Sequence, residues 1–162
     1  MRDDSGVQID FRPMDPALPP ASALLAAMVS EMSELYGDIE GDHMPSAKPA
    51  DFAPPAGTFL VGFHEGEPVC AGGIKRIAPD AAEIKRMYVV PAARRRGVAR
   101  ALLRALEDAA RERGYAFVRL DTGPLQRGAM ALYASEGYTE IGNFNANPIA
   151  AYWGEKAIGP DA

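Results

Sequence analysis

Residues 87–106, MYVVPAARRRGVARALLRAL, constrain this chain more than any other stretch. An apolar, β-branched segment runs through Pro91 into three consecutive arginines, then Gly97, then apolar residues at helical spacing. The pattern predicts a strand, a turn and a helix start. Arg94, Arg95 and Arg96 stand at the positive end of that helix dipole, where cations are locally unfavourable. Breaches of local preference tend to fall at functional sites. An anion held by the arginines and by the free N–H groups of the first helical turn would offset this one.

The rest of the chain supplies a frame for that turn. Residues 7–11 alternate and predict a short strand, possible at a sheet edge. Prolines 13, 16, 19 and 20 delay regular structure until a helix over 21–36, stopped by Gly37. Residues 37–57 are rich in Pro, Gly and Asp and predict a long loop with room for one helical turn, either one wall of a ligand pocket or a plain mobile connection. Three β-rich runs follow, 58–64, 67–77 and 82–90, joined too tightly for anything but an antiparallel meander. After the central helix come a strand over 116–120, reached by a crossover and hence parallel to the strand before the helix, and a helix over 126–135. Short strands are expected at 139–142 and 151–157. The order predicts a mixed α/β fold, a sheet with helices on its faces.

Composition narrows the function. At 162 residues the chain reads as one domain spanning 1–162, large enough to bury roughly two thirds of its unfolded surface. One cysteine, Cys70, excludes an intrachain disulfide framework, and with two histidines it leaves little for a metal, so none is expected. A net charge of −5 disfavours nucleic acid as a partner. The N-terminus has no apolar signal region and no run reaches membrane-spanning length, so the expectation is a cytoplasmic protein with no membrane partner.

A dinucleotide fingerprint needs more glycines than Gly97, and the lysine of a nucleotide P-loop is missing. What stands there is Arg94-Arg95-Arg96-Gly97-Val98-Ala99, Arg-x-x-Gly-x-Ala, followed later by Ala-x-x-Leu-Tyr-x-x-x-Gly-Tyr from Ala129 to Tyr138. Together with the element order, these motifs resemble the Gcn5-related N-acetyltransferase (GNAT) superfamily, from about residue 7 to residue 158. The resemblance implies a central, mostly antiparallel sheet with flanking helices, in which the strands on either side of the central helix run parallel and splay. It implies acetyl-CoA as acyl donor, its pyrophosphate on the amides of Arg95, Arg96, Gly97, Val98, Ala99 and Arg100. It further implies that the pantetheine arm pairs with the backbone of Met87, Tyr88 and Val89 as an added strand does. The side chains of the arginine run, Arg94 included, are expected to add charge attraction to the phosphates.

Aminolysis of a thioester needs a neutral amine, support for the developing oxyanion and a proton for the leaving sulfur. Tyr133 falls where the family's general-acid tyrosine stands; the alternative is an aromatic filling a helix–sheet interface. Gln126, two helical turns earlier, stands where many relatives have an asparagine contacting the cofactor. Glu83 is the candidate general base, and strand parity should turn it toward the same side as Met87 and Val89 unless a bulge intervenes. Its alternatives are an ion pair with Lys85 or Arg86, or exposure. Cys70 reads as a small buried hydrophobe, His64 as solvated, and His43 as a weak candidate for the pocket wall.

The expectation is thus an N-acetyltransferase acting on a primary amine of a small molecule or peptide by direct attack in a ternary complex. The competing class is a non-catalytic acyl-CoA-binding or sensor domain on the same fold, which would dispense with Tyr133. Asp38, Glu40, Asp42 and Asp51 of the long loop would suit a cationic acceptor, and the resemblance allows a homodimer.

Overall fold

Alternating and helical patterns become a seven-stranded sheet with helices on both faces in the computed structural model, which describes residues 7–37, 47–126 and 128–160. The elements run β1 (Asp10–Pro13), α1 (Ala21–Tyr36), β2 (Thr58–His64), β3 (Glu67–Ala78), β4 (Ala81–Val89), α2 (Val98–Glu112), β5 (Phe117–Thr122), α3 (Ala129–Ser135), β6 (Thr139–Glu140) and β7 (Tyr152–Ala157). The sheet order is β1-β2-β3-β4-β5-β7-β6, antiparallel throughout except for the β4/β5 pair. The first strand lies at the edge as expected but begins at Asp10, later than its alternation suggested. The single helical turn foreseen in the long loop is a 3-10 turn at Pro49–Phe52. Among the described residues no helix is long and apolar enough to cross a membrane.

The two sheet faces are covered differently. On one, α2 buries Leu102, Leu103, Leu106 and Ala110 against Ile74, Ala82, Ile84, Val118 and Leu120. Each such leucine contributes about 1.5–3 kcal/mol of transfer free energy. On the other, α1 packs Ala21, Leu24 and Met28 on Phe59, Val61, Ala71 and Tyr88. This second cover reaches no further across the sheet than β4, and the same face of β5 and β7 presents Phe117, Arg119 and Asp121 beside Ala157, Glu155 and Trp153.

A bulge in β4 changes what each face presents. Lys85 pairs with Gly73 and Tyr88 with Ala71, so Arg86 and Met87 together oppose Gly72, and Arg86 takes a left-handed φ of 61°. Ahead of the bulge Ala82 and Ile84 face α2, and beyond it Met87 and Val89 do, while Tyr88 belongs to the α1 core. Glu83 therefore points away from the side of Met87 and Val89. Simple parity is overturned here because one inserted residue shifts the period-2 alternation by a step.

Candidate active site

The bulged strand then parts from its parallel neighbour. Ala81, Ala82 and Glu83 pair with Phe117, Val118 and Arg119, and the pairing stops there. Both strands continue, β4 to Val89 and β5 to Thr122, so a wedge opens between them. The Val90 N–H donates to Val69 O at 2.9 Å and Tyr88 pairs with Ala71, which by antiparallel alternation turns the backbone groups of Met87 and Val89 toward the wedge. Tyr88, expected to share in pairing with the pantetheine, instead turns its backbone toward β3. Strand groups that no neighbouring strand pairs, here those of Met87 and the Val89 N–H, with the Val89 carbonyl held by Arg94 Nε, form a template for a ligand that can pair like a strand.

The wedge leads to the start of α2. A 3-10 turn over Pro91–Ala93 ends β4, and Arg95 at φ 63° and Gly97 at φ 78° twist the chain into the helix. Gly97 is the N-cap and has no side chain to cap with, no side-chain cap replaces it, and the first turn holds no acidic residue. Among the described residues the amides of Arg95 through Arg100 donate to no carbonyl outside the helix, the first such bond being Ala101 N–H to Gly97 O at 3.1 Å. Unsatisfied donors at the positive end of a 15-residue helix fit an anionic pyrophosphate.

The arginine side chains divide. Arg94 donates from Nε to Val89 O at 2.9 Å and from Nη2 to Glu31 Oε2 at 2.6 Å, with its guanidinium 5.7 Å above the Tyr88 ring. It ties α1 to the end of β4. Arg100 donates to Ser135 Oγ at 3.1 Å and Glu136 Oε2 at 2.8 Å, and Arg104 donates to the same carboxylate, which the two cations hold below the usual carboxylate range. Only Arg95 and Arg96 of the run are exposed without an ion pair among the described residues. The expected attraction of all these side chains to phosphate is thus narrowed, since long guanidinium arms reach nearby carboxylates first.

Tyr133 lies on α3, 7% exposed, its ring stacked on Tyr152 at 6.1 Å and tilted against Tyr138 at 5.7 Å. Burial, then the charge of Asp121, then Tyr152, push its phenol up to about 12, so it stays neutral at physiological pH. Its hydroxyl has no hydrogen-bond partner among the described residues. Gln126 is not on α3: Pro124 and Gly128 delay that helix to Ala129. Its Oε1 accepts from Gly123 N–H at 2.9 Å and Thr122 Oγ1 at 3.2 Å, closing the turn that leaves β5. The same turn is covered by Tyr36, which accepts from the Leu125 N–H at 2.9 Å and stands where a Cβ on Gly123 would lie.

Glu83 is 2% exposed and sits at the fork of the wedge. Its Oε2 accepts from Lys85 Nζ at 3.4 Å and from Asn145 Nδ2 at 2.8 Å. Asn145 also reaches Asp121 Oδ2 at 2.6 Å, where Asn147 Nδ2 adds a contact at 3.1 Å, and Trp153 Nε1 donates to Asn145 Oδ1 at 3.0 Å. Sequence reasoning singled out Glu83 and missed Asp121, Asn145, Asn147 and Trp153. The one available signal was the spacing Asn-x-Asn-x-Asn at 143–147, polar where a strand was ending.

Other candidates fall outside this group. Cys70 is fully buried, and burial pushes its thiol up to about 12, which makes it inert as a nucleophile. His64 lies beside the hairpin turn with Nδ1 3.1 Å from Gln8 O. Asp38, Glu40, Asp42 and His43 lie outside the described residues, and Asp51 caps its own 3-10 turn through Lys48 N–H at 2.7 Å. Ala47, Pro49 and Phe52 of the long loop, with Leu25, Ala26, Val29 and Arg86, line a cavity of about 410 Å³ between α1 and the sheet. Among the described residues no group of three His, Cys, Asp or Glu side chains is placed to hold a metal.

Comparison with known proteins identifies the family. The profile of the Acetyltransferase (GNAT) family matches residues 25–138. The chain is 32% identical over 129 residues to the IAA acetyltransferase of Azospirillum brasilense, covering 77% of this chain and 83% of that protein. It is 43% identical over 60 residues to human N-acetyltransferase 8, of which the match covers only 26%. Among solved structures, a GNAT-family acetyltransferase of Staphylococcus aureus superposes with a TM-score of 0.75 at 14% identity, covering 93% of this chain and 99% of that one. The PaiA N-acetyltransferase of Thermoplasma acidophilum, solved with coenzyme A, superposes at 0.67 with 15% identity, covering 93% and 99%. At such identities these two structures speak for the fold.

Proposed function

Because the chain belongs to the acetyltransferase (GNAT) family, we propose that residues 1–162 form one catalytic domain whose wedge and α2 turn receive acetyl-CoA. The chain is an acetyl-CoA-dependent N-acetyltransferase. One observation carries the reading of the site: β4 and β5 part at Glu83 and Arg119, and the opening runs from the backbone of Met87 and Val89, whose Val89 carbonyl Arg94 already engages, to the uncapped amides of α2. The residues present fit an elongated ligand with a pairing arm and an anionic middle. When bound, acetyl-CoA supplies an acyl group already activated as a thioester.

The rest is done by this chain. The amides from Arg95 to Arg100, including Gly97, Val98 and Ala99, hold the pyrophosphate, with Arg95 and Arg96 adding charge at the rim. Met87 and Val89 align the arm. Glu83, at the fork, takes the proton that a primary amine must lose, and Asp121 beside it favours a cationic approach. Tyr133 holds its proton at the hydroxyl. Burial and the charge of Asp121 push its phenol up to about 12, so the hydroxyl keeps its proton at neutral pH and supports the departing sulfur by donating a hydrogen bond or the proton itself. Direct attack by the amine in a ternary complex needs no covalent enzyme intermediate.

The acceptor is a primary amine of a small molecule or peptide. An acceptor screen over polyamines, amino acids, aminoglycosides and free peptide N-termini, following release of free CoA, tests the reading. Turnover with at least one class is expected. Binding of acetyl-CoA with no turnover across the panel would instead favour a non-catalytic sensor on the same fold.

A further inference from the structure

We infer that Asn145 is a positioning residue for the amine-side base, orienting Glu83 and clamping β4 to β5 at the fork where their backbone pairing ends. The inference rests on the reading of Glu83 as base. It starts from the side-chain amide, whose orientation the surroundings leave no freedom to reverse. The Trp153 indole N–H donates and never accepts, so the atom 3.0 Å from it is the Asn145 oxygen. The nitrogen therefore faces the carboxylates, and its hydrogens go to Glu83 Oε2 at 2.8 Å and Asp121 Oδ2 at 2.6 Å.

The loop carrying Asn145 is held as firmly as the side chain. Asn143 Oδ1 accepts from the amides of Asn145 and Ala146 at 3.2 and 2.8 Å, and Asn147 Oδ1 accepts from Ile149 N–H at 3.2 Å. Ala146 is kept at φ 56°, a conformation that a non-glycine residue retains only when its neighbours enforce it. The clamp closes where main-chain bonds stop: Glu83 is the last β4 residue paired to β5, and Asp121 lies on β5 just past its partner Arg119. With Oε2 taken by Asn145 and Lys85, the second carboxylate oxygen, Oε1, has no partner among the described residues. It is also absent from the side-chain atoms sealed without a bond. Asn145 thus fixes one oxygen and leaves the other for an incoming amine.

A double-mutant cycle on the full chain tests this, with acetyl-CoA and the fastest amine of the panel. Asn145→Ala should lower kcat roughly tenfold to a hundredfold while KM for acetyl-CoA stays within about twofold, the signature of a displaced group rather than a lost binding site. Because Asn145 acts through Glu83, adding Asn145→Ala to Glu83→Gln should cost nothing further. Trp153→Phe keeps an aromatic side chain but removes the indole N–H that orients the amide, together with part of the ring, so it should lower kcat in the same direction by less, and it serves if Asn145→Ala misfolds. Additive losses in the double variant, or equal losses in acetyl-CoA affinity and kcat, would reduce Asn145 to scaffolding. Full kcat in Glu83→Gln would remove Glu83 as base and this inference with it, whereas full kcat in Asn145→Ala beside a damaged Glu83→Gln would overturn the inference alone.

Discussion

The two halves of the proposed site are built in opposite ways. The donor half is one continuous piece of chain, the end of β4, the turn through Arg94–Arg96 and the start of α2, and it works through backbone groups. The acceptor half gathers Glu83, Asp121, Asn145 and Trp153 from β4, β5, β7 and the loop before β7, and it works through side chains. A backbone site needs little beyond the right local dihedrals. A side-chain site needs several distant segments to arrive in register, so it is costly to specify and easy to vary between relatives.

If this division is right, substitutions should sort by half. Tyr133, where the halves meet, should show the largest effect: Tyr133→Phe lowers kcat by about a hundredfold and leaves the Kd for acetyl-CoA unchanged, as kinetics and calorimetry would register together. A matching loss of acetyl-CoA affinity would make Tyr133 a packing residue of the donor half. Gly97→Val comes next. Its φ of 78° is costly for a β-branched residue, so the turn should distort and KM for acetyl-CoA rise about tenfold with the amine KM unmoved. Equal rises in both KM values would erase the division.

Arg94→Ala should act on stability rather than on the donor. Its pair with Glu31 is partly exposed, so the loss is about 1 kcal/mol or less and the melting temperature falls by roughly 2–4 °C. Arg95→Ala and Arg96→Ala should do the reverse, weakening acetyl-CoA binding modestly and sparing the melting temperature. A last effect, seen only at alkaline pH, concerns the core under both halves. Burial pushes the Cys70 thiol and the Tyr133 phenol up to about 12, from ordinary values of 9.0 and 10.0, so the folded state keeps protons that the unfolded state releases. Their contribution is fully present below pH 9 and is lost as pH rises toward 12. Urea titrations at mildly and strongly alkaline pH should show that decline, and Cys70→Ala should make its first part shallower.

The donor half was legible for a physical reason. A proline after a β-branched run, a lone glycine and an apolar helical stripe each bias dihedrals where they stand, and the helix from Val98, the turn at Gly97 and the pairing partners of the meander all lie close to where the residues placed them. Arg94 shows the limit. Its position in the turn was readable, but the destination of its long side chain depended on Glu31, a residue of α1 that only folding brings near. Gln126 shows another: helical spacing placed it on α3, and Pro124 and Gly128 overruled the spacing.

Sequence alone determined the order of strands and helices, the anion-ready start of α2 and the family motif, because these follow from local steric preference and from periodicity. The tertiary structure alone decided that Arg86 bulges, that Glu83 therefore faces away from Met87, and that an asparagine from a distant loop meets it at the fork. An inserted residue shifts every later side chain by one face, and a side-chain hydrogen bond across the sheet depends on register, twist and loop path at once. No local preference encodes those quantities, so that half of the site became readable only when the sheet was assembled.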